Sequence, residues 1–282
     1  MGFTLDFLLK LCPSGGFRGA YDPFAASIVH AYEPARRVLT SYTGNLVRLR
    51  RASDNAEAAF GYLANGDLDT AAIAAWAGGA SYIVTVYDQG GFADNATQAV
   101  AASQPLYVAN ARNGHAGMTF DGANDYLRGA FTIGGALSRP YHIYAVGQLD
   151  PTAVNDNTKR GIVDSNHIAR RASLRQDSTP TPDQWAIYAG AFLNDGNSDG
   201  NWNLWTVLFN YAASQFWINS VSVATGDAGD LDNATGITIG ETTDFTGPWV
   251  GPVVSVVICD PSLSDAQRVA MQGRVNSYWM VY

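Results

Sequence analysis

The sequence predicts an all-β protein built as a sandwich or jelly roll. Short apolar or alternating stretches recur along the 282 residues, separated by clusters of Gly, Asn, Asp and Pro. In LVRLRR (46–51), Val47 and Leu49 alternate with Arg48 and Arg50, which is the period of a half-buried strand. Only two helical patterns interrupt these stretches, which argues against an alternating α/β fold.

The other elements follow in chain order. The further strand candidates are SYIVTVYD, AGMTFDG, YHIYAVGQL, QWAIYAG, LWTVLFN, QFWIN, GITIGE and VVSVVICD. A short helix is predicted in LDTAAIAAWAGG, where Asp69 can cap the first turn and Gly78 can end the last. A C-terminal helix is predicted in SDAQRVAMQGRVNSYW, because Ser264 and Gln267 have the spacing of a capping box.

Composition limits the partners of this protein. The formal net charge of −8 argues against nucleic-acid binding, since phosphate attracts Lys and Arg. No apolar run approaches the roughly 18 residues of a membrane span, so we expect no membrane insertion. The N-terminus lacks the basic region of a signal peptide, so we expect no export signal and synthesis in a cytoplasm. Cys12 and Cys259 are expected to be free thiols.

The first 24 residues differ from the rest, and we divide the chain into an N-terminal attachment arm (1–24) and a sandwich (25–282). One helical face of the arm carries Phe3, Phe7, Leu8 and Leu11. Such an apolar segment either packs onto its own domain or docks into another protein, and the sequence leaves both open.

Three stretches together carry a resemblance to a known family. Residues 50–108 resemble the N-terminal half of the concanavalin A-like domain in α-L-arabinofuranosidase B and its phage and bacterial relatives. Residues 114–131 are similar to a strand pair of laminin-G-like sandwiches. Residues 202–228 and 237–275 resemble the closing strands and final helix of those sandwiches. The resemblance implies a concanavalin A-like jelly-roll β-sandwich with short peripheral helices and a C-terminal helix, over about residues 28–280.

The stretch YDQGGFADNATQ (87–98) raises the question whether it is a substrate loop or a structural turn. It resembles the strand-end turn of that family. In that interpretation Asp88 and Asn95 tie the loop to the backbone, and Gly90 and Gly91 supply unusual dihedral angles. We therefore predict a structural turn.

The resemblance does not extend to the family's catalytic glutamate. That residue follows an Asp-Tyr-Gly-Asn-type stretch, whereas here Asp164 in VDSNHIARR is followed by His167 and no glutamate. We therefore assign no catalytic residue and expect a protein that is not an enzyme. Pairing of Asp164 with Asp183 or with Glu241 remains open as a catalytic alternative.

Binding residues are predicted near loops. Trp185, Tyr188 and Trp249 flank loops and offer aromatic faces that stack on sugars, and Asp164 is added as a polar carbohydrate-binding residue. The loop NDGNSDGN places oxygens at alternate positions, as a calcium loop does. Its candidate ligands are Asp195, Asn197, Asp199 and Asn201. The alternative for this loop is a solvated turn without metal.

The resemblance to phage proteins and the missing glutamate lead to a functional expectation. We expect a phage-type, virion- or tail-associated protein that recognises its host by binding cell-surface polysaccharide. Its further partners would be other virion or tail proteins, contacted through the arm, and copies of itself in a homo-oligomer. The alternatives are a glycoside hydrolase of arabinofuranosidase type and a purely structural decoration or fibre-attachment protein of a virion.

Overall fold

The computed structural model describes residues 16–282, and this part of the chain is mostly β. The strands are β1 (Ile28–Tyr32), β2 (Val47–Arg51), β3 (Glu57–Phe60), β4 (Ser81–Val86), β5 (Ala96–Thr97), β6 (Leu106–Arg112), β7 (His115–Asp121), β8 (Leu127–Ala130), β9 (Tyr141–Gln148), β10 (Arg160–Asp164), β11 (Ser173–Asp177), β12 (Gln184–Tyr188), β13 (Phe192–Asn197), β14 (Trp202–Phe209), β15 (Ser214–Ile218), β16 (Val221–Gly226), β17 (Gly236–Ile239) and β18 (Val250–Cys259). The helices are α1 (Thr70–Ala77) and α2 (Asp265–Trp279).

The strands form two antiparallel sheets. In the first sheet β18 lies between β9 on one side and β1 and β7 on the other, and β9 continues to β14, β15 and β16. The second sheet runs in the order β3, β2, β4, β5, β8, β17, β10, β11, β12 and β13. Strand β6 pairs with both β4 and β7 and so connects the sheets. The predicted jelly-roll β-sandwich is confirmed.

The core positions follow from the two-residue period of the strands. In β9, Ile143 and Ala145 belong to the larger core cluster, which fills the space between the sheets. Tyr144 and Val146 point to the opposite face and belong to a second cluster. Helix α2 covers this second cluster with Met271, Val275 and Trp279, which recur every four residues on one helical face.

Both helices have the predicted ends. The carboxylate of Asp69 accepts a hydrogen bond from the Ala72 amide at 2.9 Å, and Gly78 ends α1 with a φ of 61°. Ser264 and Gln267 form the capping box at the start of α2. Within residues 16–282, no helix combines the length and apolar character needed to cross a membrane.

The boundary between arm and sandwich at residue 24 remains a prediction, but the residues just before it pack against the sandwich. Tyr21 and Phe24 are buried in the second core cluster, and the Tyr21 hydroxyl donates a hydrogen bond to Glu33 at 2.9 Å. Asp22 accepts a hydrogen bond from the Thr40 amide at 2.7 Å. Large apolar side chains with these contacts are part of the sandwich. The remainder of the predicted arm, residues 1–15, lies outside the described residues.

The stretch 87–98 is a structural turn. Asp88 is buried, and its carboxylate accepts hydrogen bonds from the amides of Ala31 and Gly90, both at 2.8 Å. The side-chain oxygen of Asn95 accepts a hydrogen bond from the Asp88 amide at 3.0 Å. The reason for Gly90 is close approach rather than an unusual dihedral angle, because a Cβ there would lie 2.0 Å from the carbonyl oxygen of Val29.

Candidate active site

The floor of the candidate site is the outer face of β10, β11 and β12. Leu174 of β11 points into the core, so its neighbour Arg175 points to the outer face, where it lies opposite Gly161 of β10. The loop of residues 240–247, which follows β17, crosses this face at Gly161. A Cβ on Gly161 would lie 2.7 Å from the Thr242 amide nitrogen, so glycine is required for this crossing.

A buried ion pair anchors the loop to the floor. Asp164, at the end of β10, accepts hydrogen bonds from Arg171 Nε at 3.1 Å and Nη2 at 2.6 Å. The same carboxylate accepts a hydrogen bond from the Thr243 amide at 3.2 Å. Arg171 also reaches Asp244 Oδ2 through Nη1 at 3.2 Å. The buried charges of Asp164 and Arg171 are therefore paired with each other, as burial of charges requires.

Asp244 is held in its ionised form. Burial acts to raise the pKa of Asp244, but hydrogen bonds from Thr242, Thr246 and Lys159 and the charge of Arg171 hold it well below its ordinary value. The hydroxyls of Thr242 and Thr246 lie 2.7 and 2.8 Å from Oδ1, and Lys159 Nζ lies 3.1 Å from each carboxylate oxygen.

Glu241 lies in the opposite electrostatic environment. Its side chain is buried, and burial raises its pKa although Oε1 accepts hydrogen bonds from the amides of Thr242 at 2.7 Å and Gly247 at 2.8 Å. The Thr242 hydroxyl lies 3.1 Å from Glu241 Oε1 and 2.7 Å from Asp244 Oδ1. A carboxyl with a raised pKa therefore stands beside one with a lowered pKa, which is the usual arrangement of an acid–base pair.

Aromatic side chains form one wall of the site. Tyr188 and Phe192, on neighbouring strands, have ring centroids 4.8 Å apart, and Phe192 is 42% exposed. The Arg171 guanidinium lies 5.5 Å from the Tyr188 ring centroid. The structure thus brings two of the predicted carbohydrate-binding residues, Tyr188 and Asp164, to the same place. Their role in binding remains a prediction.

Two other predicted sugar-stacking residues lie in the core. Trp185 and Trp249 are 1% and 0% exposed, so neither indole can offer a face to a glycan. The alternation of β12 turns Trp185 inward, where its ring centroid lies 4.9 Å from that of Trp205. The sequence shows the aromatic residue but not the face of the sheet on which it lies.

The structure distinguishes the two catalytic alternatives for Asp164, which are pairing with Asp183 and pairing with Glu241. Asp183 accepts hydrogen bonds from the Asn157 amide and from Gln176, both at 3.1 Å, and so lies near the start of β10. Asp164 lies at the other end of this strand, and five strand residues span roughly 15 Å. Glu241, in contrast, binds the amide next to the one that Asp164 binds. Only the pairing with Glu241 is therefore spatially possible.

The predicted calcium loop spans the end of β13 and the turn before β14. Both oxygens of Asp199 accept hydrogen bonds from side-chain amides, from Asn203 at 2.7 Å and from Asn201 at 2.9 Å. The side chain of Asp195 lies outside the described part of the structure. Among the described side chains, no group of three or more His, Cys, Asp or Glu is placed to hold a metal ion. Calcium binding by Asp195, Asn197, Asp199 and Asn201 remains a prediction.

A cleft of about 620 Å³ lies elsewhere, bordered by Arg50, Tyr82, Gln104, Asp121 and Asp125. Burial, together with the charge of Asp121, raises the pKa of Asp125 to about 7. Asp121 itself binds the backbone amides of its own turn, at Ala123 and Asn124. We place the candidate active site at residues 240–247 rather than in this cleft, because there the pKa values of two neighbouring carboxyl groups are shifted in opposite directions.

Sequence reasoning missed Lys159, Arg171 and Asp244. The signal that could have indicated the site is ETTD (241–244), where two carboxylates flank two threonines directly after a predicted strand. Arg171 carries no comparable signal, since one arginine in a basic stretch looks like any solvated residue.

Comparison with known proteins relates this chain to a family. The family model described as alpha-L-arabinofuranosidase B, catalytic, matches residues 20–171. An arabinofuranosidase complexed with arabinofuranosyl-alpha-1,2-xylobiose has a similar structure, with a TM-score of 0.71 and 17% sequence identity over 92% of this chain and 64% of that chain. A GH54 a-l-arabinofuranosidase soaked with a cyclic sulfate inhibitor has a TM-score of 0.70 at 16% identity, with the same coverage. This chain thus spans less than two thirds of the length of these structures. No curated protein matches.

These matches contradict the expected phage-type receptor-recognition protein, because the matching model is that of an enzyme's catalytic domain. They support neither a virion or tail location nor a protein without activity. The expectation depended on the missing glutamate after Asp164, but a carboxyl group near Asp164 is supplied by Glu241 from a distant loop. The family model covers more than half of the sequence and includes Asp164 and Arg171. The chain belongs to the alpha-L-arabinofuranosidase B catalytic-domain family.

Proposed function

We propose that the protein is a glycoside hydrolase that releases α-L-arabinofuranosyl groups from glycans. The observation that carries this proposal is the pair of Glu241 and Asp244, which the Thr242 hydroxyl bridges and whose pKa values are moved in opposite directions. Glycoside hydrolysis uses two carboxyl groups in this way, one protonated and one ionised. Membership of the family supports arabinofuranose as the sugar that is released.

Each carboxyl group has a role that its environment favours. Glu241 donates its proton to the glycosidic oxygen of the leaving group, because its raised pKa keeps the proton available. Asp244 remains ionised and attacks the anomeric carbon, which breaks the bond to the protonated leaving group and forms a glycosyl ester on Asp244. The deprotonated Glu241 then takes a proton from the water that cleaves this ester and releases the sugar. A single hydroxyl contacts both groups, so they lie closer than the roughly 6.5–9.5 Å that inverting enzymes need to admit water. We therefore expect retention of configuration.

The remaining residues of the site position these groups and the sugar. Lys159 and Arg171 fix the Asp244 carboxylate, and Asp164 in turn fixes Arg171. Tyr188 and Phe192 provide aromatic surface on which a sugar ring can stack. Asp164 is therefore a positioning residue in this proposal rather than a catalytic one.

Hydrolysis of 4-nitrophenyl α-L-arabinofuranoside tests the proposal. We expect turnover by the unmodified protein, a product that retains its anomeric configuration by NMR, and losses of about 10²–10⁴-fold for Glu241→Gln and Asp244→Asn. Glu57→Gln is the matched control, because Glu57 is exposed and lies on β3, outside the site. Absence of turnover would contradict the proposed function. Turnover that survives both site substitutions would exclude this site.

A further inference from the structure

Arg175 is buried without an acceptor for its charge. The residue is 5% exposed, yet no described side chain or carbonyl accepts a hydrogen bond from it, and no described carboxylate lies within ion-pairing distance. Its Nε atom is wholly enclosed and has no partner. The hydroxyl of Ser173, two residues earlier on the same face of β11, is also enclosed and without a partner.

The surroundings of Arg175 compensate its charge only in part. Its guanidinium carbon lies 5.1 Å from the Tyr188 ring centroid and 4.6 Å from that of Phe192, so both rings contribute cation–π attraction. Of the nearby carboxylates, Asp164 and Asp244 are already paired with Arg171. Asp177, two residues further along β11, acts on Arg175 through its charge but makes no ion pair with it and accepts a hydrogen bond from Thr179. Burial of a cation without a hydrogen-bonded partner costs free energy. We therefore expect the guanidinium of Arg175 to bind an anionic group of a ligand.

We propose that Arg175 binds the carboxylate of a uronic acid in the substrate, so that the enzyme acts on arabinofuranosyl groups carried near acidic sugars. This inference rests on the proposed function, since it assigns a substrate class to the same site. A guanidinium presents a planar set of donors that matches a carboxylate, and the aromatic faces of Tyr188 and Phe192 suit the attached sugar ring. The unpaired positive charge of Arg175 provides a local site for an anion in a protein whose net charge is −8.

Binding of small probes tests this inference without reference to hydrolysis. We expect methyl glucuronide or methyl galacturonide to bind saturably in calorimetry, and their uncharged methyl esters to bind at least about tenfold more weakly, as loss of a charged hydrogen bond predicts. Arg175→Met should weaken uronide binding by a similar factor, because it removes the charge and keeps an unbranched apolar stem. Arg48→Met is the matched control, since Arg48 is a strand arginine paired with exposed Glu57 and should leave the affinity unchanged.

Thermal unfolding provides a second measurement that separates binding from a structural role. Since Arg175 lacks a protein acceptor, Arg175→Met should leave the melting temperature unchanged or raise it. A fall of several degrees would show that Arg175 is structural and would overturn the inference. Inorganic phosphate that binds as tightly as the uronides would show a general anion site and overturn the assignment to acidic sugars.

The outcomes also distinguish this inference from the proposed function. Uronide binding without hydrolysis of 4-nitrophenyl α-L-arabinofuranoside would contradict the hydrolase and leave the carboxylate site intact. Hydrolysis without any preference for uronides over their methyl esters would contradict only the inference.

Discussion

Single carboxyl groups of the same chemical type differ in this protein because their neighbours differ. Asp244 receives hydrogen bonds from two hydroxyls and an ammonium group, which keep its pKa low. The burial of Glu241 outweighs its two backbone hydrogen bonds and raises its pKa above the ordinary value. Asp125, in the cleft next to Asp121, likewise has a raised pKa. Burial and hydrogen bonding therefore decide which carboxyl can donate a proton.

The pH dependence of activity should report the protonation of Glu241. Because a general acid must carry its proton, kcat/KM is expected to fall as the pH rises through the raised pKa of Glu241. Measuring kcat/KM from about pH 4 to pH 9 should show this alkaline loss in the unmodified protein. The residual activity of Glu241→Gln should not show this fall in kcat/KM at high pH. An alkaline limb that is identical in both proteins would assign the proton to another group.

The pH dependence of stability should report Asp125. Its pKa is raised to about 7 in the folded protein, so the folded state binds the proton more tightly than the unfolded state. The stabilisation is complete below the ordinary pKa of an aspartate and is lost as the pH rises through about 7. The melting temperature of Asp125→Asn should therefore fall less between about pH 4 and pH 8. Asp232→Asn, at an exposed position, should behave like the unmodified protein.

At the level of elements, the site depends on where strands and loops cross. Gly161 on β10 makes room for residues 240–247, and the register of β10 with β11 sets Arg175 beside this crossing. The alternation of β12 directs Tyr188 outward and Trp185 inward. A similar close crossing occurs at Gly90, where the turn 87–98 passes over β1.

Substitution of Gly90 and of Gly91 in the turn 87–98 tests whether a glycine is needed there for close packing or for its backbone dihedral angles. Gly90→Ala should lower the free energy of unfolding by about 1–3 kcal/mol or more, because its Cβ would meet the Val29 carbonyl oxygen at 2.0 Å. Gly91→Ala should be nearly neutral, since nothing lies within 4 Å of the Cβ position. Urea unfolding of both variants measures the difference. Equal stability of the two variants would exclude packing as the reason for Gly90.

The whole molecule has apolar clusters on both faces of its first sheet. One fills the space between the sheets, and the other lies under α2 and the segment that contains Tyr21 and Phe24. The chain before β1 therefore completes the outer cluster, although its composition resembles a connector. Whether residues 1–15 contact another protein or a second copy of this chain remains a prediction.

Two truncations measure where the folded unit begins. Removal of residues 1–15 retains every contact of the described chain, so we expect cooperative melting near the temperature of the full-length protein. Removal of residues 1–24 also removes Tyr21 and Phe24, whose burial stabilises the fold by about 1.5–3 kcal/mol each. The second truncation should therefore melt at a clearly lower temperature. Equal melting temperatures would support the predicted boundary at residue 24.

The sequence by itself determined the fold class, the ends of both helices and the turn at Asp88. The helix ends and strand patterns depend on interactions between residues that are close along the chain, such as the Ser264–Gln267 capping box and the alternation in β2. In the turn, the local part is the hydrogen bond from the Asp88 amide to Asn95. They can be predicted because the pattern and the contact lie within the same short stretch.

Only the tertiary structure decided which residues form the site and which fill the core. Asp164, Arg171 and Asp244 meet because β10 and the loop after β17 are adjacent in the sheet, and Glu241 lies beside them for the same reason. Trp185 and Tyr188 look alike in the sequence, yet they lie on opposite faces of one strand. Strand pairing joins residues that are far apart along the chain, and no local pattern records which strands pair or which face a loop will cover.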